Sequence, residues 1–198
     1  MKNKSVLFPL TFLVLVFFIS CASKPKFRGN GDLCGLVIDE ENRPVKDFLI
    51  FCDGPVNQNH TALTNDGGIF VIPDVPGGNY IISGKKLNYC GLEKTTYFFG
   101  DRTKIFCCQV NSIDAALESV SNLLIRGENH LAENQLNSLS YEKNSAEEAV
   151  VNFYRFYLAE SKKEKIRIIS KIRRISKQGK CDYSAFADSL EELINEEK

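Results

Sequence analysis

The residue pattern of this 198-residue chain changes at Val110 and Asn111, and that change limits which folds the chain can adopt. Before it, short apolar and β-branched runs alternate with turns rich in Gly, Pro, Asn and Asp, which is typical of β-strands. After it, glycine becomes scarce and apolar residues recur at helical spacing. We therefore predict an α+β chain of two domains, strand-rich over residues 31–110 and helical over residues 112–198.

The strand-rich segment contains seven short runs that can form strands. They cover residues 33–39, 48–52, 61–64, 69–72, 80–84, 93–99 and 103–110. No helical pattern separates them, so we predict an antiparallel seven-strand β-sandwich. The turn at 100–102 is expected to close the last hairpin, between the sixth and seventh strands.

The helical segment carries its own start and stop signals. Ser112 is suited to cap a first helix, and capping boxes begin at Ser145 and Ser161. Leucines up to Leu139 continue a second helix, Gly179 ends a long fourth one, and Asp182 is suited to cap a last one. About five helices with short links predict an all-α helical bundle or a hairpin array.

Several landmarks of the strand-rich segment occur in the order of a known family. They are residues 35–39, Pro44 and Val45, residues 64–70 and residues 75–80. This order resembles the carboxypeptidase regulatory-like domain, a transthyretin-like β-sandwich, although Gly77 and Gly78 add one glycine to its Pro-Gly-x-Tyr element. The resemblance implies a non-catalytic accessory, binding or spacer module, in which Gly68 allows a chain reversal and Tyr80 faces the core.

Residues 127–132 resemble the turn between helices of tetratricopeptide repeats, and Ser161 follows Gly127 by 34 residues, the period of that family. The second turn lacks a glycine, and Ile166 stands where that family has alanine. A repeat array would imply a protein-binding groove. An unrelated helical bundle is the alternative interpretation.

The N-terminus has the order of an export signal. Lys2 and Lys4 precede an apolar run over residues 6–19, which is shorter than the roughly 20 residues that span a membrane. The run ends in Phe18-Ile19-Ser20-Cys21, which resembles the lipobox of bacterial lipoproteins with Phe in place of the usual Leu. An uncleaved anchor, or an ordinary signal peptide followed by an incidental cysteine, are the alternatives.

The lipobox resemblance implies that residues 1–20 are a lipoprotein signal peptide and that Cys21 carries the lipid. Residues 21–30 would then form a tether, and the exported protein would be held in the bacterial cell envelope by membrane lipid acylated onto Cys21. Six cysteines follow Cys21, and disulfides persist in exported compartments. A bridge joining Cys90 to Cys107 or Cys108 is one candidate, whereas Cys52 is in phase with core residues and fits a buried thiol.

The chain lacks the motifs of common catalytic and metal sites. It has no Cys-x-x-Cys, no Gly-x-Ser-x-Gly and no phosphate-binding glycine loop, and its two histidines, His60 and His130, fall in different segments. Its formal net charge is zero, which argues against nucleic-acid binding. We therefore predict a protein that is not an enzyme and that holds neither metal nor cofactor.

Residues 162–180 form a basic amphipathic segment whose isoleucines occupy the other face. Its nine cations are Lys162, Lys163, Lys165, Arg167, Lys171, Arg173, Arg174, Lys177 and Lys180. They could meet anionic lipid head groups. The favoured interpretation is a solvated face paired with the acidic last helix, which carries Asp188, Glu191, Glu192, Glu196 and Glu197.

These features together predict a lipid-anchored, non-catalytic binding or scaffolding module with a protein partner in the envelope. The alternative is a carbohydrate- or peptide-binding accessory lipoprotein, which would need an exposed aromatic platform. Its candidates are Tyr89, Tyr97, Phe98 and Phe99, of which strand alternation places about half in the core.

Overall fold

The computed structural model describes residues 29–55, 58–179 and 182–196. Its strands are β1 (Asn30–Ile38), β2 (Leu49–Asp53), β3 (Asn59–Leu63), β4 (Ile69–Pro76), β5 (Gly78–Lys85), β6 (Tyr89–Cys90), β7 (Leu92–Phe99), β8 (Phe106–Gln109) and β9 (Leu139–Ser140). Its helices are α1 (Ile113–Ile125), α2 (Asn129–Ser138), α3 (Ala146–Leu158), α4 (Lys162–Gln178) and α5 (Ser184–Glu196). The predicted α+β class, with strands first and helices after, is confirmed.

Seven of the strands form a β-sandwich, as predicted. One sheet has the order β4–β1–β8 and the other has the order β3–β2–β5–β7. The inward residues of both sheets build one core, whose largest buried side chains include Tyr80, Phe48, Phe70, Phe99 and Leu33. Buried and exposed side chains alternate along these strands because every second side chain enters this core.

The last strand of the sandwich differs from the prediction. β8 does not form a hairpin with β7 but crosses to the other sheet and runs parallel to β1, with Gly35 opposite Phe106. The Phe106 ring enters the core, where its centroid lies 5.3 Å from that of Tyr97 and 6.4 Å from that of Phe70. The Phe106 ring is therefore buried where β8 pairs in parallel with β1. The turn residues at 100–102 do not indicate this parallel pairing.

The landmark residues of the sandwich have the turning and packing roles expected of them. Asp39 closes the turn after β1, where one carboxylate oxygen accepts hydrogen bonds from the Glu41 N–H at 2.9 Å and the Arg43 N–H at 2.8 Å. Gly68 has a φ of +70°, and the next inward side chain, Phe70, is buried. The Tyr80 ring is also buried, and its hydroxyl donates to the Pro76 carbonyl at 2.7 Å.

Three of the five described helices start at the predicted caps. The hydroxyls of Ser112, Ser145 and Ser161 accept hydrogen bonds from backbone N–H groups three residues later. α1 and α2 form one helical hairpin, α3 and α4 form a second, and α5 packs against α4. One apolar cluster joins α1, α2 and α3, and another joins α3, α4 and α5.

A small third sheet connects the sandwich to the helices. β6 pairs with β9, so that Cys90 lies opposite Leu139. The prediction that Leu139 belongs to the second helix is therefore wrong, because α2 ends at Ser138 and the chain becomes extended. Nearby, the Glu40 carboxylate accepts hydrogen bonds from both the N–H and the hydroxyl of Ser112, which ties the end of β1 to the start of α1.

Candidate functional site

A cleft of about 1130 Å³ lies between α2, α3 and α4, and we call it the helical cleft. Four cationic side chains line it: Arg155, Arg167, Lys171 and Arg174. Glu133, Glu160 and Glu164 contribute acidic groups, and Leu158, Ala159 and Ile168 contribute apolar surface. This mixture of fixed charges and apolar surface is suited to binding a polar segment of another molecule.

Arg155 is held in place by partners that do not neutralise its charge. One guanidinium nitrogen lies 3.0 Å from the side-chain oxygen of Asn137, and the other lies 3.4 Å from the hydroxyl of Tyr141. Both partners are neutral. Within the described residues, neither Arg155 nor Arg167 has a carboxylate within salt-bridge distance, so both charges are available to a ligand.

Glu148 is buried next to the cleft and pairs with Lys171, one of the cations that line it. Its carboxylate accepts a hydrogen bond from the Asn144 N–H at 2.7 Å and pairs with the Lys171 ammonium at 3.0 Å. Burial alone would raise the pKa of the Glu148 carboxyl, but these two groups and the nearby Arg174 outweigh it and lower the pKa. Asn152, also buried, donates to the Glu148 carbonyl at 2.6 Å and lines the cleft.

Replacing Glu148 by Gln is expected to lower the free energy of unfolding by about 1–2 kcal/mol at neutral pH, because hydrogen bonds to the charged carboxylate are lost. Since folding lowers this pKa from the usual 4.5, the stabilisation is complete above that value. It is lost as the pH falls through the lower, folded-state pKa. Urea unfolding over a pH series should therefore show wild type and Glu148→Gln converging in acid.

The control for this measurement is Glu160→Gln, which removes an exposed carboxylate from the rim of the same cleft. Its free energy of unfolding should stay within about 0.5 kcal/mol of wild type. Equal losses for both variants, or a Glu148→Gln loss that does not change with pH, would contradict the structural role given to the Glu148 carboxylate.

Metal ligands and reactive thiols do not assemble in the described part of the chain. No group of three or more His, Cys, Asp or Glu side chains there could hold a metal ion. The His130 ring contacts the Asn134 amide at 3.2 Å, and His60 lies on β3 in the sandwich. Burial raises the pKa of Cys52 and of Cys108 to about 11, which keeps both thiols protonated at neutral pH and therefore weakly nucleophilic.

Cys90, Cys107 and Cys108, the candidate partners of a disulfide, are free thiols in the structure. Cys90 packs against the helical cluster next to β9, whereas Cys108 packs against the sandwich core. Cys107 points away from that core and is exposed. The three thiols therefore lie in different surroundings, which sequence spacing alone could not reveal. Cys52 is the buried thiol that strand phase predicts.

The four candidate binding aromatics do not form a platform. Phe99 is buried against Tyr80, with ring centroids 6.4 Å apart, and Tyr97 packs partly against the same core. Tyr89 is also partly buried there, and the Lys86 ammonium nitrogen lies 5.1 Å from the centroid of its ring. Phe98 alone of these four is exposed, at 58%. Alternation along β7 explains the result, because Tyr97 and Phe99 share the inward phase.

The basic face of α4 is partly neutralised by the last helix, in line with the favoured interpretation. One Arg173 nitrogen lies 2.6 Å from a carboxylate oxygen of Asp188 and 2.6 Å from one of Glu191, both on α5. Lys171, in contrast, pairs with Glu148 of α3. The face is therefore divided, with Arg173 bound to α5 while Arg167, Lys171 and Arg174 line the helical cleft.

Sequence reasoning did not find this cleft, although its residues carried a weak signal. Asn152 and Arg155 interrupt an otherwise apolar stretch of α3, which indicates polar groups beside a core. The cleft itself depends on how three helices pack. Cys21 and the proposed signal peptide lie outside the described residues. No described helix is both long enough and apolar enough to cross a bilayer.

No family model and no curated protein matches the chain. Among solved structures, the Bacillus anthracis TIE protein is similar over 42% of this chain and 17% of its own, with 17% identity and a TM-score of 0.37. A streptococcal ancillary pilin is similar over 43% and 30%, with 11% identity and a TM-score of 0.35.

A third similar structure is a type II cohesin–X-dockerin complex from Acetivibrio cellulolyticus, over 48% of this chain and 72% of that one. Its identity is 18% and its TM-score is 0.34. The chain spans less than a third of the length of the first two structures. Likeness at this level carries no argument about function, which must come from the residues themselves.

Proposed function

We propose that this chain is a lipid-anchored protein of the bacterial cell envelope that binds a protein partner and catalyses no reaction. The helical cleft carries the proposal. Arg155 is positioned by two neutral partners, so it presents its charge to a ligand at little cost in side-chain ordering. The β-sandwich, which resembles accessory and spacer modules, would hold the helices away from the anchor.

The charges of the helical cleft indicate what the partner presents. Arg155 and Arg167 have no carboxylate partner in the described structure, so a carboxylate of the partner would complete them. Glu160 and Glu164, near the start of α4, would accept a cation from the same segment. Complementary charges of this kind set register and association rate more than affinity, and the apolar wall supplies surface to bury.

A photoreactive amino acid at Ser170, which lines the cleft, tests this assignment in intact cells. We expect a covalent adduct with one envelope protein, reduced at least about tenfold by Arg167→Glu, because reversing a charge at an interface costs more than about 1.4 kcal/mol. Lys163→Glu is the matched control. It reverses an exposed charge on the same helix outside the cleft, and it should leave the adduct unchanged.

Two results would contradict the assignment of the cleft. One is an adduct at Ser170 that both charge reversals weaken equally. The other is the absence of an adduct at Ser170 when the same photoreactive residue at Lys94, exposed on β7, gives one. An adduct at Lys94 with an envelope glycan or peptide would instead support the carbohydrate- or peptide-binding alternative.

A further inference from the structure

The outer face of the β4–β1–β8 sheet is apolar where an exposed sheet face is ordinarily polar. Along β1, Leu33, Gly35 and Val37 are buried, so the intervening Cys34 and Leu36 point outward. On the neighbouring strands the outward residues include Ile69 and Val71 of β4, exposed to 45% and 47%, and Cys107 of β8.

The strand register places these side chains next to one another. Val71 lies opposite Cys34, and Ile69 lies opposite Leu36 on one side while Cys107 lies opposite it on the other. These five residues, which we call the outer apolar face, form a continuous patch that Asp32 borders at the start of β1 and Gln109 at the end of β8. No described helix has an extensive contact with the three strands that carry it.

The outer face of the second sheet is different in composition. There, polar residues alternate across the strands with apolar ones, as in the pairs of Phe51 with Thr61, Phe51 with Ser83, and Ile81 with Thr96. The second sheet also exposes apolar side chains, namely Leu63, Ile81 and Phe98, but Thr61, Thr96 and Lys85 lie among them. The difference is that polar side chains do not interrupt the patch on the first sheet. A patch of about this size is ordinary on a protein surface, so its surroundings decide whether it is a site of contact.

The chain before β1 indicates what this contact is. β1 is the central strand of the sheet, and Gly29 precedes it directly. Seven residues, 22–28, lie between Cys21 and Gly29, and the fully extended chain from Cys21 to Gly29 reaches at most about 28 Å. They include Lys24, Lys26 and Arg28 and no acidic residue, which suits proximity to anionic head groups.

The size of the patch argues against a second copy of the chain as the occupant. Strands lie about 4.8 Å apart and rise about 3.3 Å per residue, so five outward side chains on three strands cover roughly 200 Å². A stable dimer ordinarily buries about 800 Å² on each partner. A smaller contact area is enough when a short tether already holds the protein at the membrane. The tether keeps the face close to the bilayer, so that a weak contact can form.

We propose that the outer apolar face lies against the lipid bilayer to which the chain is anchored. This inference rests on the proposed lipid anchor at Cys21. The contact is compatible with the backbone, because β1 has hydrogen-bonded neighbours on both sides and exposes few unpaired groups to the interface. It holds the sandwich flat on the membrane as a second point of attachment.

The chain contains no tryptophan, so a single introduced one reports on its own surroundings. The mature chain with Cys21→Ser is held through an N-terminal histidine tag on nickel-chelating vesicles of phosphatidylcholine and phosphatidylglycerol. With brominated acyl chains in the vesicles, Val71→Trp should be quenched at least about twice as strongly as Thr96→Trp, since brominated chains quench only a tryptophan that enters the acyl boundary. Thr96 lies on the outer face of the opposite sheet and provides the control.

A second reporter, Ile69→Trp, lies on the same face and should be quenched in the same way. It keeps the test valid if Val71→Trp does not fold. Adding Ile69→Asp to Val71→Trp should remove the quenching, because a charge would enter the contact. Equal quenching of Val71→Trp and Thr96→Trp would overturn the proposal. So would a blue shift of Val71→Trp that grows with protein density without bromine quenching, which would indicate a second copy. Because the tag replaces the lipid, this result is independent of whether Cys21 is acylated in cells.

Discussion

Gly68→Ala is expected to lower the free energy of unfolding by about 2–4 kcal/mol, one of the largest effects of any single substitution outside the core. Gly68 has a φ of +70°, a conformation that costs other residues about 1–2 kcal/mol. A Cβ there would also lie 2.4 Å from the Val37 carbonyl oxygen and 3.1 Å from the Val45 nitrogen. That carbonyl and nitrogen are hydrogen-bonded to each other at 3.0 Å, so relieving the clash would disturb the bond that holds the turn.

The neighbouring glycine provides a matched control. A Cβ at Gly67 would meet its nearest atom, the Asn65 side-chain oxygen, at 3.4 Å, which is ordinary contact, and its φ is not positive. Gly67→Ala should therefore change stability by no more than about 0.5 kcal/mol. Thermal unfolding should show Gly68→Ala about 5–10 °C below wild type and Gly67→Ala close to it. Equal shifts would show that the turn accommodates a side chain and would remove the reason given for a glycine at position 68.

Features that depend on neighbouring residues could be predicted from the sequence. The capping serines, the positive-φ glycine before Phe70 and the inward phase of Tyr80 are all determined within about five residues of the chain. The hydrogen-bonding capacity of a serine at a helix start is local chemistry, and so is the freedom of a glycine to adopt a left-handed turn. The class and order of the elements follow from the same local signals.

Features that depend on distant residues could not be predicted. The parallel pairing of β8 with β1 joins residues about 70 positions apart, and the burial of Phe106 accompanies it. The helical cleft similarly needs α2, α3 and α4 to pack before Arg155 and Lys171 can line one surface. Helix periodicity indicates which side of α4 is apolar, but it does not indicate which neighbour receives each cation. Arg173 and Lys171 are two residues apart and yet bind acids on different helices.

Helix packing also has a consequence for how the proposed partner would bind. The Glu148 carboxylate connects the cap of α3 to Lys171 of α4, so the two helices that line most of the cleft are joined at a buried ion pair. A cleft whose walls are fixed in this way loses little entropy on binding. For this reason Glu148→Gln should weaken partner capture as well as folding, whereas Lys163→Glu should affect neither.

Cys21→Ser is expected to abolish lipidation of the full chain and to leave a soluble or an unprocessed form. Each buried CH₂ of an acyl chain contributes about 0.8 kcal/mol, and two or three chains give firm attachment, so losing the acceptor thiol removes the lipid anchor completely rather than weakening it. The outer apolar face, at roughly 200 Å², is too small to retain the protein by itself. In cells given labelled palmitate, wild type should incorporate label and sediment with membranes, and Cys21→Ser should incorporate no label and be either soluble or uncleaved.

Cys90→Ser is the matched control, because it removes another thiol while leaving the proposed lipidation site and the outer apolar face intact. Cys90 lies on β6 and is half-buried, and a serine of similar size should leave both labelling and sedimentation unchanged. Retention of label by Cys21→Ser would contradict the lipid anchor. Loss of label with sedimentation retained would leave either an uncleaved signal peptide or the outer apolar face to account for binding, and the size of the sedimented chain distinguishes the two. Because the tryptophan measurement does not use acylation, the two experiments together assign membrane contact to the lipid, to the outer apolar face, or to both.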